Sequence, residues 1–414
     1  MTYRISRRAT LLGMTAAGTA ALFNKIAFAQ APAVKIGVLT DMNGPLSGSV
    51  GQGSVWATEL AVEDFKAQHP GIAVEILSAD MQNKPDVTVT IAREWLDNQN
   101  VDVITEVPIS AGALAIVPMV AERDRLALFT SASSADLTGK ACGTNHLQWT
   151  LDTWAMARAS VEAQLKSGGL SWFFISADTA FGAALQAGAT AFIEAGGGKV
   201  VGGVKHPFPG NTDFSSQLVE AQQSGADVIA IANSGPDAAN CIKQANEFGI
   251  MQAGQKVCAL FMEAIVVNSV GLDASQGVYL TESFYWDLDE KTRAFSKRFK
   301  ERSGGVIPTQ QHAGQYSATW NYLRAVAELG QEKAKASGRG VIEVMQAWGT
   351  FDDPVYGPTR VREDGRVIHR MYVFQVKSPA ESKYDGDIFN VAQVIPEEEA
   401  FRPIAEGGCP LVKS

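Results

Sequence analysis

The segment 34–65 constrains the fold more than any other part of the chain. It begins with an apolar run, Val34–Thr40, that is typical of a buried parallel strand. It continues through a Gly- and Ser-rich loop, Asp41–Gly53, and ends in a helix-patterned stretch, Ser54–Phe65. A strand that turns directly into a helix leaves the first N–H groups of that helix above the sheet edge, where open α/β folds hold ligands. This segment therefore predicts an α/β fold with a ligand site at the carboxyl ends of its strands.

The same strand–loop–helix unit recurs along the sequence. Further units begin at Ala73, Val101 and Leu126, the pattern breaks at Thr138–Trp149, and a second run of units begins with the helix Asp152–Lys166. The chain has 414 residues, 46% of them apolar, which is enough for two cores of common domain size. We therefore expect two doubly wound parallel-sheet lobes.

The last third of the sequence predicts how the lobes are joined. After three helices the apolar pattern becomes alternating, which predicts an antiparallel hairpin of Thr359–Glu363 and Arg366–Val376 around Asp364-Gly365. If the chain returns to the first lobe near residue 282 and crosses again near residue 352, three strands form a hinge that can close on a ligand. The expected domains are residues 30–148 plus 282–352 for lobe 1, and 149–281 plus 353–414 for lobe 2.

The N-terminal residues are typical of an export signal. Ser6-Arg7-Arg8 precedes the Ala/Gly/Leu-rich stretch Ala9–Leu22, and Ala27-Phe28-Ala29 has the small-x-small form of a signal-peptidase site. An ordinary amphipathic helix is the alternative, but the stretch is weakly amphipathic and has no acidic residue. We expect a twin-arginine signal peptide at residues 1–29, cleaved after Ala29, and a periplasmic location.

Charge and cysteine content limit the partners and the redox chemistry. Removal of residues 1–29 takes the formal net charge from −9 to −13, which argues against nucleic acid or an anionic membrane as a partner. The four cysteines are too far apart for a compact zinc or redox motif. One or two disulfides, in any of three full pairings, and free buried thiols all remain open; the cysteines are Cys142, Cys241, Cys258 and Cys409.

Signals of enzymatic chemistry are missing from the sequence. Gly48–Gly53 reads G-x-x-G-x-G, the reverse of the dinucleotide-binding order, and the phosphate-loop, nucleophile-elbow and HExxH motifs do not occur. The five histidines are scattered singly. We therefore predict no catalytic residue, no cofactor and no metal site.

Small hydroxyl residues at strand ends are the strongest binding candidates. Ser110 and the run Ser131–Ser134 follow neighbouring strands, so their hydroxyls and nearby helix-start N–H groups could receive a carboxylate without a formal positive charge. Simple N-capping by serine is the alternative. Glu263 directly follows an apolar strand and is either the partner of a ligand ammonium or a solvated acid at a helix start.

Aromatic residues gather near the loops of the second half. They include Trp149, Trp154, Phe181 and the run Phe284-Tyr285-Trp286. Each of them is as consistent with core packing as with a ligand contact.

Several segments together resemble one family. They are IGVLTDMNGPLSGSVGQG, ISAGALA, TSASSADLTG, WFFISADTAFG, ANSGPDAANCIKQANEFG and FYWDLDEKTRAFSKRF. In this order they resemble type I periplasmic solute-binding proteins, most of all the branched-chain amino-acid (Leu/Ile/Val) receptor group that serves ABC importers. The resemblance covers nearly all of the chain after residue 29. It implies two lobes that close on a small solute, and delivery of that solute to an inner-membrane ABC permease by a monomer.

The resemblance also implies roles for individual residues. Ser110, Ser131 and Ser133 match positions that hold a ligand carboxylate, Phe181 matches an aromatic contact of the second lobe, and Glu263 lies near an acid that receives the α-ammonium. Val50 and Ser234-Gly235 replace bulkier residues, so a roomier cleft for aromatic acids or amides is the alternative. A secreted hydrolase and a sensor domain are rival classes. The expected ligand-binding residues are Ser110, Ala111, Ser131, Ala132, Ser133, Trp154, Phe181, Asn233, Ser234 and Glu263.

Overall fold

The computed structural model describes residues 32–413, so the expected signal peptide lies outside the described residues. Within this part of the chain, no helix combines the length and the apolarity needed to cross a membrane.

Five parallel strands form the first sheet. They are β1 (Val34–Thr40), β2 (Val74–Asp80), β3 (Val103–Glu106), β4 (Leu126–Phe129) and β5 (His146–Gln148), in the order β2-β1-β3-β4-β5. The intervening helices are α1 (Gly51–Gln68), α2 (Pro85–Asp97), α3 (Ser110–Glu122) and the 3₁₀ turn Ala135–Thr138. Because successive side chains alternate across a strand, Val103 and Leu128 pack in one core while Ile104 and Phe129 pack in another. Both faces of the sheet are therefore covered. The segment expected to break the pattern, residues 138–149, contains β5.

Four parallel strands form the second sheet. They are β6 (Ser171–Ala177), β7 (Lys199–His206), β8 (Val228–Ala232) and β9 (Lys256–Ala259), in the order β7-β6-β8-β9. The helices of this part are α4 (Thr153–Lys166), α5 (Ala180–Ala195), α6 (Ser215–Gln223), α7 (Gly235–Glu247), α8 (Ala264–Val270) and α9 (Leu272–Ser275). Phe173 and Ile229 pack on one face, and Phe174 and Val228 pack on the other. The predicted α/β class with two parallel sheets flanked by helices is confirmed.

The remainder of the chain adds helices to the first sheet and antiparallel strands to both parts. Its elements are β10 (Tyr279–Glu282), α10 (Glu290–Ser303), α11 (Gln310–Leu329), α12 (Gln331–Ala336), α13 (Gly338–Ala347), β11 (Thr350–Asp353), β12 (Gly357–Val361), β13 (Val367–Ile368), β14 (Met371–Val376), β15 (Phe389–Ile395), α14 (Glu397–Ala400) and the 3₁₀ turn Ile404–Glu406. The three-stranded sheets have the orders β11-β12-β13 and β10-β14-β15.

The expected hairpin near the C-terminus is only partly present. β12 and β13 pair antiparallel around the turn at Gly365, as predicted. The second expected strand, Arg366–Val376, is interrupted at His369 and Arg370, and its continuation β14 pairs with β10 and β15 instead. Alternation in the sequence does not reveal this change of partner, because both pieces keep a strand-like pattern.

Three segments connect the two parts of the molecule. The first follows β5. In the second, Leu280 packs in a second-sheet core and Phe284 packs in a first-sheet core. In the third, Val367 packs with the first sheet and Ile368 with the second. The chain therefore passes from a first-sheet core to a second-sheet core between Val367 and Ile368.

Buried Arg366 ties two of these connections together. Its Nη2 donates to the carbonyl oxygens of Trp149 and Thr150, at 3.1 and 2.6 Å. Its Nη1 lies 3.7 Å from Asp152 Oδ2, and its guanidinium stacks 3.8 Å from the ring centre of Phe401. Burial lowers the pKa of Arg366 to about 10.

Candidate functional site

A cavity of about 310 Å³ lies where the carboxyl ends of the strands of both sheets meet. Both halves of the molecule supply its walls. It is lined by Leu46, Ser49, Val50, Asn83, Pro85, Pro108, Ile109, Ser110, Ala111, Ser131, Ser133, Ala177, Asp178, Thr179, Ala180, Phe181, Phe208, Ser234, Phe261, Glu263 and Gln311. Of the predicted ligand-binding residues, it brings together Ser110, Ala111, Ser131, Ser133, Phe181, Ser234 and Glu263.

The start of α3 gives one wall its hydrogen-bond donors. Ser110 is the first residue of this 13-residue helix, and no side chain caps the helix start. The Ser110 hydroxyl accepts a hydrogen bond from the Ser134 N–H at 3.2 Å, so its own proton is available to the cavity. A helix start with free N–H groups and a hydroxyl donor is suited to an anionic group.

The other two serines on this wall are engaged differently. Ser133 donates its hydroxyl proton to the Ser131 carbonyl oxygen, 2.7 Å away. Ser131 Oγ contacts the carboxyl of Glu106. Neither hydroxyl is therefore as free to donate to a ligand as that of Ser110.

Glu263 provides a buried acid on the opposite wall. It precedes α8, and only 3% of its surface is exposed, so it is not a solvated helix-start acid. Ser49 donates to Glu263 Oε2 at 3.1 Å, and Gln311 donates to Oε1. Burial raises the pKa of Glu263 to about 7, against the lowering effect of these two hydrogen bonds. Gln311 Oε1 is buried without a partner, which adds a second acceptor here.

A second acid lies close to Glu263. Glu282 is also 3% exposed, and its Oε1 accepts from the Ala264 N–H at 3.1 Å. Burial, and then the charge of Glu263, hold the pKa of Glu282 well above its usual range. A cation bound beside Glu263 would relieve the cost of ionising these acids.

The second-sheet side of the cavity is largely aromatic. Phe181, at the start of α5, packs edge-on against Phe261 with ring centres 5.6 Å apart. Phe208 also lines the cavity. Edge-on packing fixes the positions of the Phe181 and Phe261 rings, which give a ligand an apolar wall.

Three predicted residues do not line the cavity. Ala132 is 1% exposed and packs in a first-sheet core. Trp154 packs edge-on against Phe192 at 5.2 Å, beneath the Arg158 guanidinium. Asn233 accepts from the Ser234 N–H through its Oδ1 at 2.8 Å. For Trp154 this is the core-packing alternative that the sequence left open.

Sequence reasoning missed several lining residues. Phe261 stands two positions before Glu263, just past the end of β9, so the strand-end argument could have found it. No comparable signal marks Phe208 or Gln311, because the fold brings them from distant segments. Among residues 32–413 there is no cluster of three or more His, Cys, Asp or Glu side chains that could hold a metal ion.

A family model and two crystal structures, all of periplasmic binding proteins, are similar to this chain. The family described as a periplasmic binding protein matches residues 33–383. A crystal structure of a periplasmic binding protein from Burkholderia mallei is 37% identical, with a TM-score of 0.87, over 92% of this chain and 99% of that one. A branched-chain amino acid ABC transporter periplasmic ligand-binding protein from Burkholderia xenovorans is 38% identical, with a TM-score of 0.79, over 91% of this chain and 99% of that one.

A more distant structure shares the fold. It is an ABC transporter solute-binding protein from R. palustris in complex with benzoate, 19% identical, with a TM-score of 0.76, over 92% of this chain and 100% of that one. No curated protein matches the chain.

Proposed function

Because this chain belongs to the periplasmic binding protein family, we propose that it captures a small carboxylate-bearing solute, such as an amino acid, for an ABC transporter. The cavity lies between its two halves and is lined by both. The solute is held there unaltered and delivered to an inner-membrane permease. The protein acts in the periplasm as a monomer, exported by the signal peptide at residues 1–29.

One observation carries the choice of an amino acid. The cavity has donors on the wall of Ser110 and α3, and the buried acid Glu263 on the other. A zwitterion would place its carboxylate at the first wall and its ammonium at Glu263, where it would stabilise a carboxylate that burial disfavours. The orphan Oε1 of Gln311 would accept a further ammonium hydrogen.

A second ligand class is supported by the aromatic wall. Phe181, Phe208 and Phe261 line the same cavity, and a benzene ring would pack against them edge-on or offset. The R. palustris protein of the same fold was crystallised with benzoate. An aromatic acid is therefore the alternative ligand, with its carboxylate on Ser110 and Ala111.

Thermal-shift and calorimetric titration with L-amino acids, benzoate, 4-hydroxybenzoate, benzamide and a polyol tests the proposal. A ligand at about 100 times its Kd stabilises the protein by about 2.7 kcal/mol. We expect carboxylates to bind and benzamide and the polyol to fail. Binding of benzamide alone, or of no carboxylate, would contradict the proposal.

Replacement of Glu263 separates the two ligand classes. Glu263→Gln should abolish binding of amino acids, because the ammonium loses its counter-charge, and should spare aromatic acids. Glu301→Gln, an exposed change on α10, is the matched control. If the wild type binds an amino acid and Glu263→Gln binds it equally well, Glu263 is not the ammonium partner.

A further inference from the structure

A buried acid that the proposed function does not use contacts the cavity-lining Ser131. Glu106 ends β3 and is completely buried. Its Oε2 lies 2.9 Å from Ser54 Oγ and 2.9 Å from Thr130 Oγ1, and its Oε1 contacts Ser131 Oγ. All three hydrogen-bond partners of the carboxyl are therefore neutral hydroxyls.

The backbone at this acid is in an unusual conformation. Glu106 has φ 79° and Val107 has φ 55°, both in the left-handed region that disfavours residues with a Cβ. For β-branched Val107 this conformation is costly, and it persists only where the surrounding structure holds it, typically at functional sites. The Val107 N–H donates to the Leu39 carbonyl at 2.9 Å, which anchors the strained turn to β1.

The protonation state of Glu106 determines whether the Ser131 hydroxyl can donate a hydrogen bond to a ligand in the cavity. An ionised carboxylate only accepts, so Ser131 must give its proton to Glu106 and presents only lone pairs to a ligand. A proton on Glu106 Oε1 can instead donate to Ser131 Oγ. The Ser131 proton is then free to point at an anionic group in the cavity. Burial raises the pKa of Glu106 to about 7, so both states are accessible near neutral pH.

The elements around Glu106 present few competing charges. Buried Asp41, the residue after the end of β1, accepts from the Gly44 and Leu46 N–H groups. α11 carries His312, whose ring pairs with the Val50 carbonyl, and burial lowers its pKa to about 4. α11 also carries neutral Gln315, which is bonded to Thr130. The acids of α1 pair with arginines of α10; these pairs are Asp64–Arg298, Glu59–Arg302 and Glu63–Arg302.

We propose that Glu106 is a positioning residue that takes up a proton when a carboxylate binds beside Ser131. Capture of an anionic solute is thereby coupled to protonation of this buried acid. This inference rests on the proposed carboxylate ligand and adds to it a role for a residue outside the cavity wall. Glu106 acts through Ser131 and does not touch the ligand.

Calorimetry with benzoate tests the coupling, because benzoate has a carboxylate and no ammonium. Titrations in buffers of different ionisation enthalpy should show uptake of about one proton per benzoate at about pH 8.5. The Kd should rise by up to about tenfold per pH unit above about pH 7.

Substitutions identify the group that takes up the proton. Glu106→Gln places a permanent amide donor beside Ser131, so the proton uptake should vanish and benzoate should bind more tightly than in the wild type at about pH 8.5. Glu301→Gln, the exposed change on α10, is the matched control and should keep the uptake. Loss of the uptake in Glu263→Gln but not in Glu106→Gln would overturn the assignment.

A second variant covers the case in which Glu106→Gln fails to fold. Ser131→Ala should remove the uptake and should weaken benzoate binding more at about pH 6.5 than at about pH 8.5, because only protonated Glu106 frees the hydroxyl. An equal loss of benzoate affinity in Ser131→Ala at both pH values would refute the coupling. If carboxylates bind without proton uptake, the coupling is wrong and the proposed function stands; if no carboxylate binds, both are wrong.

Discussion

At the scale of single residues, the direction of each hydroxyl proton determines what the cavity can bind. Ser110, Ser131 and Ser133 all line the cavity, and the sequence treats them as equivalent donors. The structure distinguishes them, because Ser133 donates to a backbone carbonyl and Ser131 contacts Glu106, whereas Ser110 only accepts. Ser110 is therefore the serine whose donor is available in every protonation state.

Removal of the Ser110 hydroxyl should weaken binding of a carboxylate ligand. Ser110→Ala is expected to cost about 1–3 kcal/mol, because the ligand oxygen loses a buried donor. Ser133→Ala is the matched control and should cost less, since that proton is already used within the protein. Calorimetry measures the carboxylate affinity of both variants. A loss of affinity in Ser133→Ala that equals or exceeds the loss in Ser110→Ala would contradict this prediction.

At the scale of elements, the loop between β1 and α1 closes the cavity. Ser49 of this loop donates to Glu263 at the start of α8. A Cβ built on Gly48 would lie 2.5 Å from Ile265 Cδ1, and one built on Gly235, at the start of α7, would lie 3.4 Å from the Pro45 carbonyl oxygen. The loop and the second-sheet helices thus approach so closely that a side chain at position 48 would have to displace the Ile265 side chain.

A larger residue at position 48 should hold the cavity open. Gly48→Val is expected to raise the Kd by about tenfold or more, as for a lost closing contact of about 1.4 kcal/mol, with little effect on the Tm of the unliganded protein. Gly71→Val, in an exposed turn with no atom within 4 Å of the added Cβ, is the control. Titration calorimetry measures the Kd, and an unchanged value for Gly48→Val would show that closure does not need this contact.

At the scale of the whole molecule, the C-terminal tail joins both halves. Phe401 packs in a core of the second sheet, and Arg402 donates to the Ala135 carbonyl of the first-sheet part at 2.8 Å. Beyond it, Cys409 forms a disulfide with Cys142, 267 residues away in sequence. The other two cysteines are free and buried, and burial raises the pKa of each thiol to about 12, which makes them unreactive.

Loss of this disulfide should destabilise the protein. A bridge that closes so long a loop restricts the unfolded chain, and its removal by Cys409→Ser should cost about 2–4 kcal/mol. Denaturant unfolding with and without dithiothreitol measures the loss. The reductant should destabilise the wild type to a similar extent and leave Cys409→Ser unchanged. A wild type that is insensitive to the reductant would mean that the bridge adds no stability.

The sequence alone determined the local units and where they expose polar groups. Strand and helix periodicities are local, and the carboxyl ends of parallel strands share an edge. The strand-end residues Ser110 and Ser131 could therefore be assigned to one edge without coordinates, whereas Glu263, which follows a strand of the other sheet, was placed opposite them only by the family resemblance.

Only the tertiary structure decided which distant segments meet. It brings Gln311 and Phe208 to the cavity, pairs Cys142 with Cys409, and sets the third crossing near Val367. It also sets the proton directions at Ser131 and Ser133, because these depend on partners and burial that no local pattern encodes. Periodicity is a property of neighbours in sequence, whereas hydrogen-bond partners and desolvation are properties of neighbours in space.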